Sequence, residues 1–159
     1  MTQRPPKTIA LRLIDGAGIP YDAMPYTLSD AEFSARAVAV RLGIPEDQIF
    51  KTLLAIGHRG PTFAVIPGSG ELDLKALARV RNEWRMSMVP VGDLRGLTGY
   101  ARGAVTVPGA THAYPVVLAE SALLHEHIAV SAGMKGLQVM VATEGYRELV
   151  DATVAAVSR

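Results

Sequence analysis

Two apolar, β-prone runs, "QIFKTLLAIG" and "TFAVIPG", flank the short polar break "HRGP" between residues 48 and 68. Runs of this length bounded by Gly and Pro predict two adjacent strands or a hairpin. They commit a large share of the apolar surface to a sheet. The rest of the chain supplies further short strand candidates: "EWRMSMVP", "AVTVPG", "YPVVLAE", "IAVSAG" and "LQVMVA". Helical spacing is found in about four places. "KTIALRLIDGAG" predicts a helix over about 7–16, with Ile9, Leu13 and Ala17 on one face and Gly16 or Gly18 at its end. "SDAE" forms a capping box, Ser29 at N-cap and Glu32 at N3, opening a helix "AEFSARAVAVRLG" that Gly43 stops and Pro45 blocks. "LDLKALARVR" is a helix capped by Asp73, and "VGDLRGLTG" a short one ending near Gly96 or Gly99. "TEGYRELVDATVAAVS" closes the chain as a helix capped by Thr143, with Tyr146, Leu149, Val150 and Val154 on its apolar face. "IPYDAMPYT" reads as an extended edge segment, because its prolines exclude a central strand. Strands outnumber long helices and do not alternate with them regularly. An α+β domain with a strongly curved or closed β core is therefore expected, rather than a doubly wound sheet.

A chain of 159 residues, 49% hydrophobic and 19% charged, fits one globular domain over 1–159. No repeat or low-complexity linker divides it. Cysteine is absent, which excludes disulfides, thiolate catalysis and Cys-based zinc sites. The N-terminal stretch has no long apolar core or small-residue cleavage signal, and no run approaches a membrane span. A soluble cytoplasmic protein without membrane contact is expected. Net charge is only +1, but residues 75–102 hold Lys75, Arg79, Arg81, Arg85, Arg95 and Arg102 against Glu83 and Asp93. Gathered on one face, these cations would meet phosphates; dispersed, they are a solvated surface.

Familiar catalytic patterns are missing. There is no GxSxG elbow, Walker loop or GxGxxG. "HEH" at 125–127 lacks a third ligand at metal-binding spacing, so no metal is expected and the stretch reads as surface or loop. "IPGSGELD" is a turn, or an anion cradle made by backbone N–H groups. Ser131, in "VSAGMKG", has no base partner in sequence. Lys51, inside the apolar "IFKTLLAI", must leave the sheet end, snorkel or enter a polar site that would attract phosphate or carboxylate. Tyr26 is either a core aromatic or a substrate contact. "TGYARGAVTVPG", 98–109, contains three glycines but no Ser, Cys, His or carboxylate.

Four of these blocks, "FKTLLA" (50–55), "GELDLKALA" (70–78), "TGYARGAVTVPG" and "VSAGMKGLQVMV" (130–141), together resemble the signature blocks of the YbaK/EbsC family. That family comprises Cys-tRNA(Pro) deacylases and the editing domains associated with prolyl-tRNA synthetase. Order and spacing match over nearly the whole chain. The resemblance implies a curved, largely closed mixed β core flanked by helices. It implies hydrolysis of the ester joining a wrong amino acid to the tRNA 3′ end, without a cofactor, by the free-standing type of member. The partners implied are the acceptor end of a mischarged tRNA and prolyl-tRNA synthetase. Residue by residue, it makes Lys51 the holder of the terminal adenosine or its phosphate and matches Tyr26 to the family's tyrosine. Gly103 becomes the glycine whose backbone faces the ester, with Arg102 and Ala104 beside it. Ser131 and Gly133 become substrate contacts, with Lys135 as the nearby basic residue. Ala104 stands where the family has a second glycine, "TVPG" where many relatives have "SPIG", and Gln138 where cysteine-specific members have aspartate. The resemblance makes Lys51, Gly103 and Tyr26 the expected catalytic group. A backbone oxyanion site suits an ester that is already reactive, with water or the substrate's own side chain as attacker. The alternatives are a tRNA-end or synthetase-binding module without editing activity, and a small-molecule binding domain.

Overall fold

The computed structural model describes residues 6–159; residues 1–5, part of the N-terminal stretch considered above, lie outside it. Five α-helices and eight strands are formed among the described residues. In chain order they are α1 (Ile9–Gly16), β1 (Tyr21–Pro25), α2 (Ala35–Leu42), β2 (Phe50–Gly57), β3 (Gly60–Pro67), α3 (Leu74–Val80) and β4 (Ser87–Met88). There follow α4 (Leu94–Thr98), β5 (Val116–Ala119), β6 (His127–Met134), β7 (Leu137–Ala142), α5 (Thr143–Leu149) and β8 (Thr153–Ala155). No helix among the described residues is long and apolar enough to cross a membrane.

The predicted hairpin is the centre of the fold. β2 and β3 pair antiparallel from Phe50↔Pro67 to Gly57↔Gly60. β5 joins β3 in parallel, and β8 joins β5 in parallel. With the short β4 against β2, the order is β4-β2-β3-β5-β8. A second, antiparallel sheet runs β1-β7-β6, with β1, which ends in Pro25 and follows Pro20, on its edge. The two sheets meet at one parallel bridge, Ile49↔Ala129. The result is an α+β fold with a mixed β core and flanking helices. Closure is not seen: among the described residues no ladder joins β1 to β8. Both sheets instead face one hydrophobic cluster, including Phe63, Val65 and Leu118 from one and Ile128, Val130 and Val139 from the other. Tyr146 of α5 is among its largest fully buried side chains. Burial pushes its phenol well above the ordinary value, with the Thr52 hydroxyl opposing, so it stays neutral.

Several local expectations are corrected. In α1 the buried residues are Ala10, Leu11 and Ile14, while Ile9 and Leu13 are exposed. The stripe one position over faces the core. The Ser29 box closes only a 3-10 turn, Asp30–Glu32; Glu32 accepts the Ser29 N–H and hydroxyl, which hold its carboxyl below the usual range. Phe33 is extended, and α2 starts afresh with Ser34 accepting from Ala37 N–H. A second hydroxyl residue three positions before a free amide displaced the first as cap. Among the strand candidates, "AVTVPG" is loop, although Val105 and Thr106 are buried. "EWRMSMVP" pairs only at Ser87–Met88. The closing helix stops at Leu149, and Thr153–Ala155 forms β8 on β5. Asp151, at φ 52, turns the chain. An open strand edge and β-branched Thr153 and Val154 outweigh continued helical periodicity.

Phe63 is fully buried on the central strand β3 and stacks obliquely on Tyr114, with centroids 5.6 Å apart. Phe63→Ala is expected to lower the unfolding free energy by about 3–5 kcal/mol, measured by urea denaturation.

Candidate functional site

A cleft of about 550 Å³ opens where the N-terminal turn of α2, β2, the 102–105 loop and the paired strands β6 and β7 converge. Lys51, Arg102, Gly103, Ser131 and Gln138 all line it. Tyr26, Ala104 and Gly133 do not belong to its lining.

Strand alternation explains the position of Lys51. Phe50, Thr52 and Leu54 are buried, whereas Lys51 and Leu53 on the opposite face are only half-buried; all five border the cleft. Among the described residues no carboxylate pairs with Lys51. Arg36 and Arg102 also line the cleft, and Glu46 is the acid among the lining residues. The site is therefore electropositive. Of the basic residues at 75–102, only Arg102 borders it; Arg81 instead donates from Nε to the Thr62 hydroxyl at 3.2 Å.

After Thr98, the last residue of α4, the "TGYARGAVTVPG" segment is a loop organised by Tyr100. The Tyr100 hydroxyl donates to the Pro108 carbonyl at 2.7 Å, and partial burial raises its pKa. A Cβ at position 109 would come within 2.5 Å of that hydroxyl, so Gly109 permits the contact. Residues Ala101 to Ala104 form a tight turn closed by Ala104 N–H to Ala101 C=O at 2.9 Å. Gly103, at φ 87, occupies its third position, where an L side chain would be strained. Ala104 takes ordinary backbone angles, since the non-glycine residues at positive φ are Asn82 and Asp151. The missing second glycine therefore costs the turn no strain. Among the described residues the Gly103 N–H has no protein acceptor. Its Cα lies between Phe33 and Lys135: a Cβ there would meet the Lys135 chain at 3.4 Å and the Phe33 ring at 3.6 Å. Lys135 in turn pairs with Asp30 at 3.0 Å, tying the segment before α2 across the β6–β7 hairpin.

Ser131 fastens this turn to the sheet. Its hydroxyl donates to Ala104 C=O at 3.0 Å and accepts from Gly133 N–H at 3.1 Å. That hydroxyl proton is committed to the backbone. Ala104 and Gly133 thus belong to the frame around the cleft. Gln138 faces Ser131 across the β6–β7 ladder and is 94% buried, being 6% exposed. Its Oε1 is buried without a partner. A buried unpaired acceptor carries a desolvation cost that a donor entering the cleft would relieve. Tyr26 packs one layer behind, against a cluster containing Val38 and Ile49, which line the cleft themselves. Its hydroxyl is also buried and unpartnered. The sequence blocks did not single out Phe33, Arg36, or the apolar wall formed by Met88, Val89, Val91 and Leu94. The Ser34 cap fixes where α2 starts, but no local signal in the sequence places Arg36 at this cleft. His125 sets its ring edge-on to Phe50, and His127 is exposed at the start of β6.

Ser131→Ala would strand the Ala104 carbonyl and the Gly133 N–H. A stability loss of about 1–3 kcal/mol in urea denaturation is expected. A change within about 0.5 kcal/mol, the range of neutral surface changes, would show that the turn is held otherwise.

Comparison with known proteins agrees with this architecture. Residues 30–149 match the family described as the aminoacyl-tRNA editing domain. A relative from Enterococcus faecalis, provisionally named Cys-tRNA(Pro)/Cys-tRNA(Cys) deacylase EbsC, is 40% identical over 144 residues, covering 90% of this chain and 88% of the relative. Among solved structures, that of a hypothetical protein superposes with a TM-score of 0.86 at 20% identity, over 96% of this chain and all of the other. A protein provisionally described as a trans-editing enzyme for prolyl-tRNA synthetase superposes with a TM-score of 0.81 at 22% identity, over 99% of each chain. Those two likenesses concern the fold; the extent of the family match and the 40% identity settle kinship, and the chain belongs to the YbaK/EbsC-type aminoacyl-tRNA editing domain family.

Proposed function

We propose that this protein is a trans-editing deacylase that hydrolyses the ester of a mischarged tRNA, with Cys-tRNA(Pro) or a related small aminoacyl-tRNA as substrate. The observation that carries this reading is the meeting of unpaired Lys51, the Gly103 turn and buried Gln138 in one electropositive cleft. About 550 Å³ lies within the 300–1,000 Å³ typical of small-ligand sites, and suits an aminoacylated terminal nucleotide rather than a helical stem. In this reading Lys51 and Arg102 hold the terminal adenosine and its phosphate. The unused Gly103 N–H donates to the oxyanion that forms when water, or a substrate thiol, attacks the ester carbonyl. The C–O bond to the ribose then breaks and the ribose hydroxyl leaves with the attacker's proton; where the attacker is the substrate thiol, water then opens the resulting cyclic thioester to the free amino acid. Gln138 Oε1 accepts from the aminoacyl group, and the neutral amide distinguishes this site from one with a carboxylate there. Tyr26 supports the wall that Val38 and Ile49 present. The E. faecalis relative supports the choice of a cysteinyl ester, and the likeness to the trans-editing protein supports prolyl-tRNA synthetase as partner.

A panel of mischarged tRNAs, assayed for released amino acid, tests the reading. Hydrolysis of at least one small aminoacyl-tRNA is expected; binding without hydrolysis of any would make the protein a tRNA-end binding module instead. For the responsive substrate, Lys51→Ala should lower kcat/KM roughly 10- to 100-fold, the equivalent of losing a hydrogen bond to a charged group. Full activity in that variant would remove Lys51 from the mechanism.

A further inference from the structure

Trp84, the single tryptophan of the chain, is fully exposed in the loop between α3 and β4. An aromatic of this size usually buries much of its surface, so leaving it bare is costly unless something covers it. Its surroundings are cationic. Arg81 and Arg85 flank it in sequence, and Arg85 is exposed. Arg81 is steered by its bond to Thr62. The β2–β3 turn, carrying exposed His58 and Arg59, comes alongside: Arg59 N–H donates to both carboxylate oxygens of Glu83, at 3.2 and 3.3 Å. Glu83 is the sole acid in the stretch 79–88, and it is already engaged by that turn. An exposed indole with arginines three residues before and one after it, and with the Arg59 turn held against the neighbouring Glu83, is the composition of a base-stacking platform, in which the ring meets a base and guanidinium groups meet phosphates.

Its place relative to the cleft is informative. β2 runs from Lys51 at the cleft to Gly57 beside Glu83, six residues or roughly 20 Å of strand. β4 lies along the same edge, with Met88 on the cleft wall four residues after Trp84. A chain whose 3′ terminus sits at Lys51 and which leaves along this edge runs toward the loop that carries Trp84.

We infer that Trp84, with Arg59, Arg81 and Arg85, is a second RNA-binding site that stacks a base of the tRNA acceptor arm while the terminal nucleotide occupies the cleft. This rests on the tRNA reading of the cleft and adds to it a contact outside the lining.

Because Trp84 is the only tryptophan, its fluorescence reports this site alone. The full chain is titrated with uncharged tRNA ending in CCA, and binding is followed independently by anisotropy of the labelled tRNA. Saturable quenching is expected to track the anisotropy. Trp84→Ala should weaken tRNA binding about ten-fold, Trp84→Phe should retain most of it, and Arg85→Ala should lower the salt slope by about one. Deacylation of a small aminoacyl-adenosine ester should be the same in Trp84→Ala as in the parent chain. Unchanged emission, equal tRNA binding by Trp84→Ala, or no tRNA binding by the parent chain would each overturn the inference. So would emission that shifts with protein concentration without RNA alongside a dimer in sedimentation, which would assign the patch to a second copy. The two proposals fail separately: quenching without deacylation on any substrate sinks the editing reading, whereas deacylation without a role for Trp84 sinks only this one.

Discussion

The register of β2 against β3 is the constraint on which the cleft depends. With Lys51 opposite Ile66 and Phe50 opposite Pro67, Phe50, Thr52 and Leu54 enter the core and Lys51 is turned outward. A slip of one residue would exchange these faces, burying an ammonium and exposing Phe50. The alternation of β2 itself, buried at Phe50, Thr52 and Leu54 and half-buried at Lys51 and Leu53, opposes that slip. The lysine is held in place by hydrophobic burial of its neighbours, not by a bond of its own.

The other side of the cleft is built from backbone. The 99–109 loop after α4 lacks regular structure, yet Tyr100 closes it internally and Ser131 pins it to β6. One serine hydroxyl holds the turn that carries Gly103: it donates to the Ala104 carbonyl and is itself oriented by the Gly133 N–H, from which it accepts. This explains how a segment without a catalytic side chain can still present a defined donor: rigid framing substitutes for a nucleophile where the substrate is already activated. Lys135 and Phe33 frame the same glycine from the hairpin and from the approach to α2.

Much of the fold was legible in the sequence. The hairpin at 50–67, the edge character of β1, the Asp73 cap and the end of α2 at Gly43 all follow from local chemistry. The failures share a cause. Ser29 and Ser34 are both competent caps, and packing of α2 chose the second. Val154 continues a helical stripe, yet a parallel partner on β5 was available to it. Trp84 alternates with Met86 and Met88 as if in a strand, yet is bare to solvent while Met86 is buried. In each case two local solutions were nearly equal, and a distant element decided.

The candidate site divides in the same way. The sequence by itself determined the residue types: a lysine within an apolar strand, a glycine turn without side-chain chemistry, a serine after a strand, and a chain free of cysteine. Periodicity and turn chemistry act over a few residues, so they were readable there. Only the tertiary structure decided that Lys51, Gly103, Ser131 and Gln138 share one cleft, that Tyr26 stands behind its wall, and that Arg36 joins it. Those placements depend on strand pairings and on a loop fastened from 27 residues away through Ser131 and Ala104. Contacts at that separation are set by which surfaces bury together, and no local pattern carries that information.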